Sequence, residues 1–367
     1  MLKPRQLTVL AANQCTARCG HCSMNSGPER KEKLTYPVIR RVIDDLRRSG
    51  PLSLVIFAGG EPTLLKNHLL DAIAYCDAVG ISTRVVTNVS WATSFRAARR
   101  MLVSLREAGL IEVNFSADDY HLPYIPFERV VHAWKASKGV GFHSVCIANC
   151  YGPFSLVTPD YIEKKLGEKI AYRWDRKGDP LRVPEPESDG TFYMISNAKL
   201  LPLGRGQSLK AHEYFIEPDQ KRLDVGCQWA VKSAALSAEG HLVACCGTEA
   251  HGNAVLDFGS TLEHDSNALV RRANNDLVVN AIAYLGPAFL MKFIKEHEPG
   301  VEFKSAYGGV CEVCEDIVHR KPALEALSKH MHQLAPIVLR AKALVEASKK
   351  AGKAARDREG MTADMYM

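Results

Sequence analysis

The chain has 367 residues, 46% of them hydrophobic and 24% charged, with a net charge of +6. These are the proportions of a folded globular protein, which excludes a disordered chain. Much of the positive excess sits in a tail with Lys349, Lys350, Lys353, Arg356 and Arg358, so no basic stripe marks a nucleic-acid surface.

The N-terminal Met1–Arg5 leads straight into a strand-like segment, 6–12, rather than into an apolar signal segment. Eleven cysteines without a secretory context suit reduced thiols and metal ligation, and a cytoplasmic location is expected. Residues 36–49 carry helical apolar spacing at Val38, Ile39, Val42, Ile43 and Leu46. A buried strand is predicted over 54–58, a helix over 64–79, a strand over 82–87 and a helix over 94–108. Strands over 111–116 and 142–148 flank a helix over 127–137. A helix over 161–170 and a sixth strand over 191–196 follow. Between them, residues 151–189 hold five prolines and read as a long loop. This alternation implies a parallel sheet with ligands at the C-terminal strand ends. A Gly-turn hairpin is predicted over 234–244, and helices after Glu315. The longest uncharged stretch, from Leu277 to Met291, is too short to span a membrane and is broken by Gly286-Pro287.

The first chemical signal is Cys15-Thr16-Ala17-Arg18-Cys19-Gly20-His21-Cys22, a C-x3-C-x2-C run. Three thiolates on one loop can hold three irons of a [4Fe–4S] cube and leave the fourth open. Zinc and unligated core thiols are the alternatives. The strand over 54–58 then runs into Gly59-Gly60-Glu61-Pro62. Paired glycines let a ligand approach the backbone, and a carboxylate beside them can pair with an ammonium group. Alone, the same tetrapeptide reads as an ordinary strand-to-helix turn. Together, the two motifs resemble the radical S-adenosylmethionine (SAM) superfamily. The resemblance implies a partial (β/α)6 TIM-like barrel, with Cys15, Cys19 and Cys22 holding the cluster. It implies that Gly59, Gly60, Glu61 and Pro62 hold the methionyl end, and that His21 stands where an aromatic residue contacts adenine.

Strand ends supply further candidates. Thr87-Asn88 ends the third predicted strand. Ser116-Ala117-Asp118-Asp119-Tyr120-His121 ends the fourth. Ser116 and Asp118 suit SAM binding or the capping of a turn. Asp119, Tyr120 and His121 are placed to meet a substrate.

A second cysteine set follows: Cys227, Cys245 in a C-x12-G-x4-C pattern, and Cys311-x2-Cys314. Spacing alone fits a cube or a structural zinc site equally. The pattern resembles the SPASM and twitch domains that follow radical SAM barrels. Leu201–Gly206 resembles the Pro-x-Gly-Arg link between the two, and Gly252-Asn253 fits as well. The further cysteine series of a full SPASM domain is missing, so the resemblance implies one auxiliary [4Fe–4S] cluster in a small α+β twitch-like domain. The expected division is 1–206 barrel, 207–320 auxiliary domain and 321–367 C-terminal helix and tail. Cys246 is spare, either a small buried hydrophobe or an acid/base or hydrogen-donating thiol. Glu249 joins Asp119, Tyr120 and His121 as a candidate base. Cys76, Cys146 and Cys150 read as core thiols.

The resemblance implies an oxidoreductase or maturase that reductively cleaves SAM to a 5′-deoxyadenosyl radical. That radical takes a hydrogen atom from a substrate C–H bond. Modification of a ribosomal peptide is the expected reaction. A twitch-type dehydrogenase acting on a secondary alcohol is the alternative, and a zinc-bearing binding module the remote one. The expected partners are a peptide or small-molecule substrate, an external flavodoxin- or ferredoxin-like electron donor, and a separate peptide-recognition protein. Neither membrane nor nucleic acid is expected.

Overall fold

The computed structural model describes residues 2–170, 172–175, 185–247 and 250–358. Strand–helix alternation runs through β1 (Gln6–Ala12), α1 (Tyr36–Ser49), β2 (Leu54–Gly59), α2 (Asn67–Ala78), β3 (Ser82–Thr87), α3 (Phe95–Glu107), β4 (Glu112–Ser116), α4 (Phe127–Ser137), β5 (Ser144–Tyr151) and α5 (Pro159–Leu166). β6 (Tyr172–Asp175) and β7 (Phe192–Lys199) follow. β8 (Ser233–Leu236), β9 (His241–Val243) and β10 (Asp257–Ser260) form the hairpin region. The chain closes with α6 (Ser266–Asn275), α7 (Leu277–Tyr284), α8 (Pro287–His297), α9 (Val310–Val318), α10 (Lys321–Lys329) and α11 (Met331–Arg358).

Among the described residues ten strands form one sheet, in the order β10-β9-β8-β1-β2-β3-β4-β5-β7-β6. From β8 to β6 every pairing is parallel. The β8–β9 and β9–β10 pairings are antiparallel, so among the described strands β9 runs against the rest. The fold is therefore α/β with a parallel core, and β8–β10 extend the same sheet beside β1. The parallel register collects every C-terminal strand end on one side, where ligands of such sheets bind.

Local chemistry explains the elements. In α1, Ile39, Val42, Ile43 and Leu46 are buried at helical spacing, and Pro37 opens the first turn. Ser94 caps α3 by accepting the Ala97 N–H at 3.2 Å, and Thr158 caps α5 through Tyr161. Ser266 donates both its N–H and its hydroxyl to the buried Asp45 carboxylate of α1, which pins α6 to the barrel.

Three expectations shift. The helix predicted over 64–79 splits into a 3-10 turn, Pro62–Leu65, and α2. Glu61 accepts the Thr63 N–H and so tightens the turn, and Lys66 breaks it with φ of 53°. β5 and β7 both run three residues past their predicted ends, because they pair in register from Ser144↔Phe192 to Tyr151↔Lys199. β6 lies within the segment read as a loop, on the sheet edge beside β7. Among the described residues no single helix is long and apolar enough to cross a membrane, and α7 and α8 meet at a 118° bend.

Candidate active site

The cysteine loop leaves β1 and is stitched back on itself. Asn13 N–H donates to Glu32, Gly27 N–H to Asn13, and Cys15 N–H to Gly27. The segment after β7 closes over it. Arg205 donates from its guanidinium to the carbonyls of Cys19 (2.9 Å) and Ser26 (2.6 Å), and from its backbone to Cys22 (3.0 Å). Gly204 is required there: its φ is 53°, and a Cβ would fall 2.3 Å from the Ser23 carbonyl oxygen. Gly204 N–H in turn donates to Glu315 at 2.8 Å, the residue after Cys314. One short segment thus ties both cysteine sets together.

The Gly59-Gly60 segment meets the same loop. Gly60 N–H donates to the Ala12 carbonyl, and a Cβ on Gly60 would lie 2.1 Å from the Gln14 carbonyl oxygen. Only glycine permits that approach. The Glu61 carboxylate is fully buried. It accepts Thr63 N–H, Thr63 Oγ1–H, Thr87 Oγ1–H and Asn88 N–H. Burial raises its pKa against the pull of those donors. Pro62 is buried in the turn beside it.

At the end of β4, Asp118 is buried between two imidazoles. His121 Nδ1 lies 2.9 Å from one oxygen and His21 Nε2 3.3 Å from the other. Burial alone would raise the Asp118 carboxyl, but His121 and His21 outweigh it and hold it well below the usual carboxylate range. For His121, burial is outweighed by Asp118, and its pKa rises. Tyr120 stacks on His21 with ring centroids 4.8 Å apart and donates its hydroxyl to Glu213. Asp119 turns elsewhere: it accepts the N–H groups of Leu156 and Val157 and fixes the loop after β5.

These elements enclose a cavity of about 470 Å³. Cys15, Cys19, Cys22, His21, Gly59, Gly60, Asn88, Ser116 and His121 line it, together with Gly247 and Cys311. Glu61, Thr87 and Asp118 stand behind the wall, each no more than 1% exposed. Cys150 and Lys199 also line the cavity. Sequence reasoning placed Cys150 in the core and gave Lys199 no role. Their signal was the length of the β5–β7 ladder.

The second cysteine set gathers in the same region. Burial raises the Cys314 thiol well above its ordinary value, and the adjacent thiols of Cys245, Cys227 and Cys311 add to the rise. Burial likewise pushes Cys245 up to about 12, with Cys246, Cys311 and Cys227 contributing. Cys246 is a half-buried neighbour of this group. Glu249 lies outside the described residues.

The donor chemistry tests what each set fits. Zinc with Zn–S bonds of about 2.3 Å needs sulfurs roughly 3.8 Å apart. Among the described residues, neither cysteine set contains three thiols within 4.8 Å of one another. The compact donor group at this loop is a mixed one, Cys19 with His21 and His121, whose ligand atoms all lie within 4.8 Å of one another. Burial pushes Cys15 up to about 12, with Glu61 and the other two thiols adding, so a bare thiolate there is disfavoured without a compensating cation. Two buried polar atoms on the cavity lining have no protein partner, His21 Nδ1 and Ser26 Oγ, and Ser26 is only 2% exposed. Polar groups so placed suit a bound ligand.

Residues 9–155 match the family model of the Radical SAM superfamily, so the chain carries a radical SAM domain. SuiB of Streptococcus suis, solved bound to S-adenosylmethionine, superposes with a TM-score of 0.53 at 14% identity, over 88% of this chain and 76% of that one. The protein anSMEcpe, solved with AdoMet and the Cp18Cys peptide, superposes with a TM-score of 0.51 at 13% identity, over 92% of this chain and 99% of that one. At these identities the likeness establishes the fold. No curated protein matches the chain.

Proposed function

We propose that the radical SAM domain of residues 9–155 is the catalytic part of an enzyme with a second, auxiliary cluster, and that its substrate is a peptide. The observation that carries this reading is a cavity of about 470 Å³ whose lining includes both the Cys15–Cys22 loop and Cys311. When bound, a [4Fe–4S] cluster and S-adenosylmethionine supply a 5′-deoxyadenosyl radical that takes a hydrogen atom from an unactivated C–H bond.

The protein's part is holding and orienting. Cys15, Cys19 and Cys22 would hold the first cluster, on a loop clamped by Arg205. The exposed backbone of Gly59 and Gly60, with Asn88 and Ser116, would orient the methionyl and ribose groups. His21, stacked on Tyr120 and anchored to Asp118, would present a fixed ring and a free Nδ1. Cys227, Cys245, Cys311 and Cys314 would hold the auxiliary cluster, in a unit spanning 207–320 between the barrel of 1–206 and the helices of 321–367. The Cys311 face of the cavity would then put that cluster within reach of an electron left on the substrate.

Two observations support a peptide. The loop after β5, a strand whose Cys150 lines the cavity, carries exposed apolar side chains, Phe154 at 74% and Leu156 at 79% exposure, held by Asp119. A chain longer than the cavity would cover them. The structurally similar anSMEcpe is solved with a peptide bound.

Anaerobically purified protein should hold about eight irons per chain, four for each cube. The Cys15→Ala/Cys19→Ala/Cys22→Ala variant should hold about four. With a reductant and SAM, the native protein should form 5′-deoxyadenosine, and an acceptor peptide should accelerate it. Zinc in place of iron would overturn the reading. Acceleration by cyclic alcohols and not by peptides would replace the substrate class alone.

A further inference from the structure

Away from the cavity, three side chains converge at the base of the loop that carries Cys245. His241 opens β9, Asp257 opens β10, and His251 lies in the loop between them. Their ligand atoms all lie within 4.8 Å of one another. His241 Nδ1 is 3.0 and 2.9 Å from the two Asp257 oxygens. His251 Nδ1 is 3.6 Å from Asp257 Oδ2, too far for a hydrogen bond. Two ligands bound at about 2.0–2.1 Å to a tetrahedral ion sit roughly 3.3–3.4 Å apart, so the His251–Asp257 spacing suits atoms sharing one cation, which would take the place of the His241–Asp257 hydrogen bond. The imidazoles meet edge to face at 86°, with centroids 4.6 Å apart.

The carboxylate is aimed from behind. Gly252 N–H donates to Oδ2 at 2.7 Å and Gly259 N–H to Oδ1 at 2.8 Å, and the Asp257 side chain is 8% exposed. Outer partners of this kind orient metal ligands. Glu239 stands beside the cluster, with Oε2 4.0 Å from His251 Nδ1 and Oε1 facing Arg30 at 3.7 Å. Two imidazoles with a carboxylate suit zinc and similar transition metals, and disfavour magnesium and calcium.

We propose that His241, His251 and Asp257 form a binding site for a divalent transition metal such as zinc, separate from both cysteine sets. The ion bridges β9, the Cys245 loop and β10. That loop is otherwise closed at its base by backbone bonds, Ala244 N–H to Leu256 and Asp257 N–H to Asn253. Glu239 also accepts from Asn13 Nδ2, two residues before Cys15. The ion therefore braces the hairpin where it meets the first cysteine loop.

The test is Zn²⁺ titration of the iron-loaded protein against a competing chelator, with iron content followed in parallel. His251 is 38% exposed at its side chain, so His251→Ala leaves the fold intact, and His68→Ala on the α2 surface is the control. Native protein and the control should each bind one zinc without losing iron. His251→Ala should bind it at least ~100-fold more weakly, a larger loss than the 10–100-fold typical of outer-shell changes. Zinc K-edge absorption should show nitrogen and oxygen ligands only. Equal binding by His251→Ala, zinc uptake only as iron leaves, sulfur at about 2.3 Å from zinc, or no zinc binding would each overturn the site.

Discussion

Replacing Arg205 with Ala should loosen the first cysteine loop while leaving the sheet intact. The guanidinium makes two bonds, to the carbonyls of Cys19 and Ser26. Hydrogen bonds to a charged group contribute about 1.5–3 kcal/mol each, which sets an upper range of roughly 3–6 kcal/mol. Arg205 is half-buried, and water would take over part of each freed carbonyl. The expected loss is therefore about 3 kcal/mol, close to a hundredfold at ~1.4 kcal/mol per factor of ten. Amide hydrogen exchange reads this directly. The Cys15, Cys22 and Gly27 amides, all hydrogen-bonded within the loop, should exchange ~100-fold faster in Arg205→Ala. Amides of β2 and β3 should not change. Iron loss from the first site to a chelator should quicken in step. Lysine keeps the charge but not the fork, so Arg205→Lys should recover about half of the loss in free energy. Unchanged loop exchange in Arg205→Ala would refute the clamp. Equal acceleration in β2 would mean that the residue supports the fold at large.

Glu61→Gln should lower the stability of the folded chain by about 2–3 kcal/mol, read as a fall in Tm, because an amide nitrogen must then face donors that now meet a carboxylate. An unchanged Tm would mean that the Thr87 and Asn88 bonds are not made. Asp119→Ala should free the Leu156 and Val157 amides to exchange faster without changing iron content, since the carboxylate holds a loop. Lost iron would reassign it. Cys76 and Cys146 are buried, and burial pushes both thiols up to about 12. A raised pKa means less thiolate at pH 8, so iodoacetamide should leave both untouched in the folded protein. Rapid labelling of either would contradict the packing. Cys311→Ala should lower the iron content by about four, whereas Cys150→Ala, on the same cavity wall, should leave it unchanged. A fall in Cys150→Ala would make that thiol a ligand.

What the sequence disclosed depends on how local the cause is. The cysteine loop was legible because its three thiols lie within eight residues and their spacing is itself the chemistry. β1 to β5 were legible because a buried parallel strand is a short apolar run bounded by glycine or polar residues. Strand ends were less so, because a partner sets them. The ladder from Ser144↔Phe192 to Tyr151↔Lys199 carries β5 past Ala148 and β7 past Ser196. Those added residues put Cys150 and Lys199 on the cavity wall, and nothing in either segment alone shows it. The carboxylates at the strand ends were visible in the sequence as polar groups, but their direction was hidden. Glu61 turns inward to Thr87 and Asn88, Asp118 turns between two imidazoles, and Asp119 turns to the backbone after β5.

The same logic explains why the His241, His251 and Asp257 cluster escaped notice. Its members are ten and six residues apart, spacings that match no ligand motif, and they meet only because β9 and β10 pair with Asp257 opposite Val243. A hairpin register therefore did for these three side chains what a tight loop did for Cys15, Cys19 and Cys22. Moving that register by one residue would turn Asp257 to the other face of the sheet. An insertion between His251 and Asp257 that preserves the pairing should thus spare the site less than one between Cys246 and His251, because only the first breaks the Gly252 N–H bond that aims the carboxylate. Zinc affinity that falls equally for both insertions would mean that loop length, and not the aimed carboxylate, governs the site.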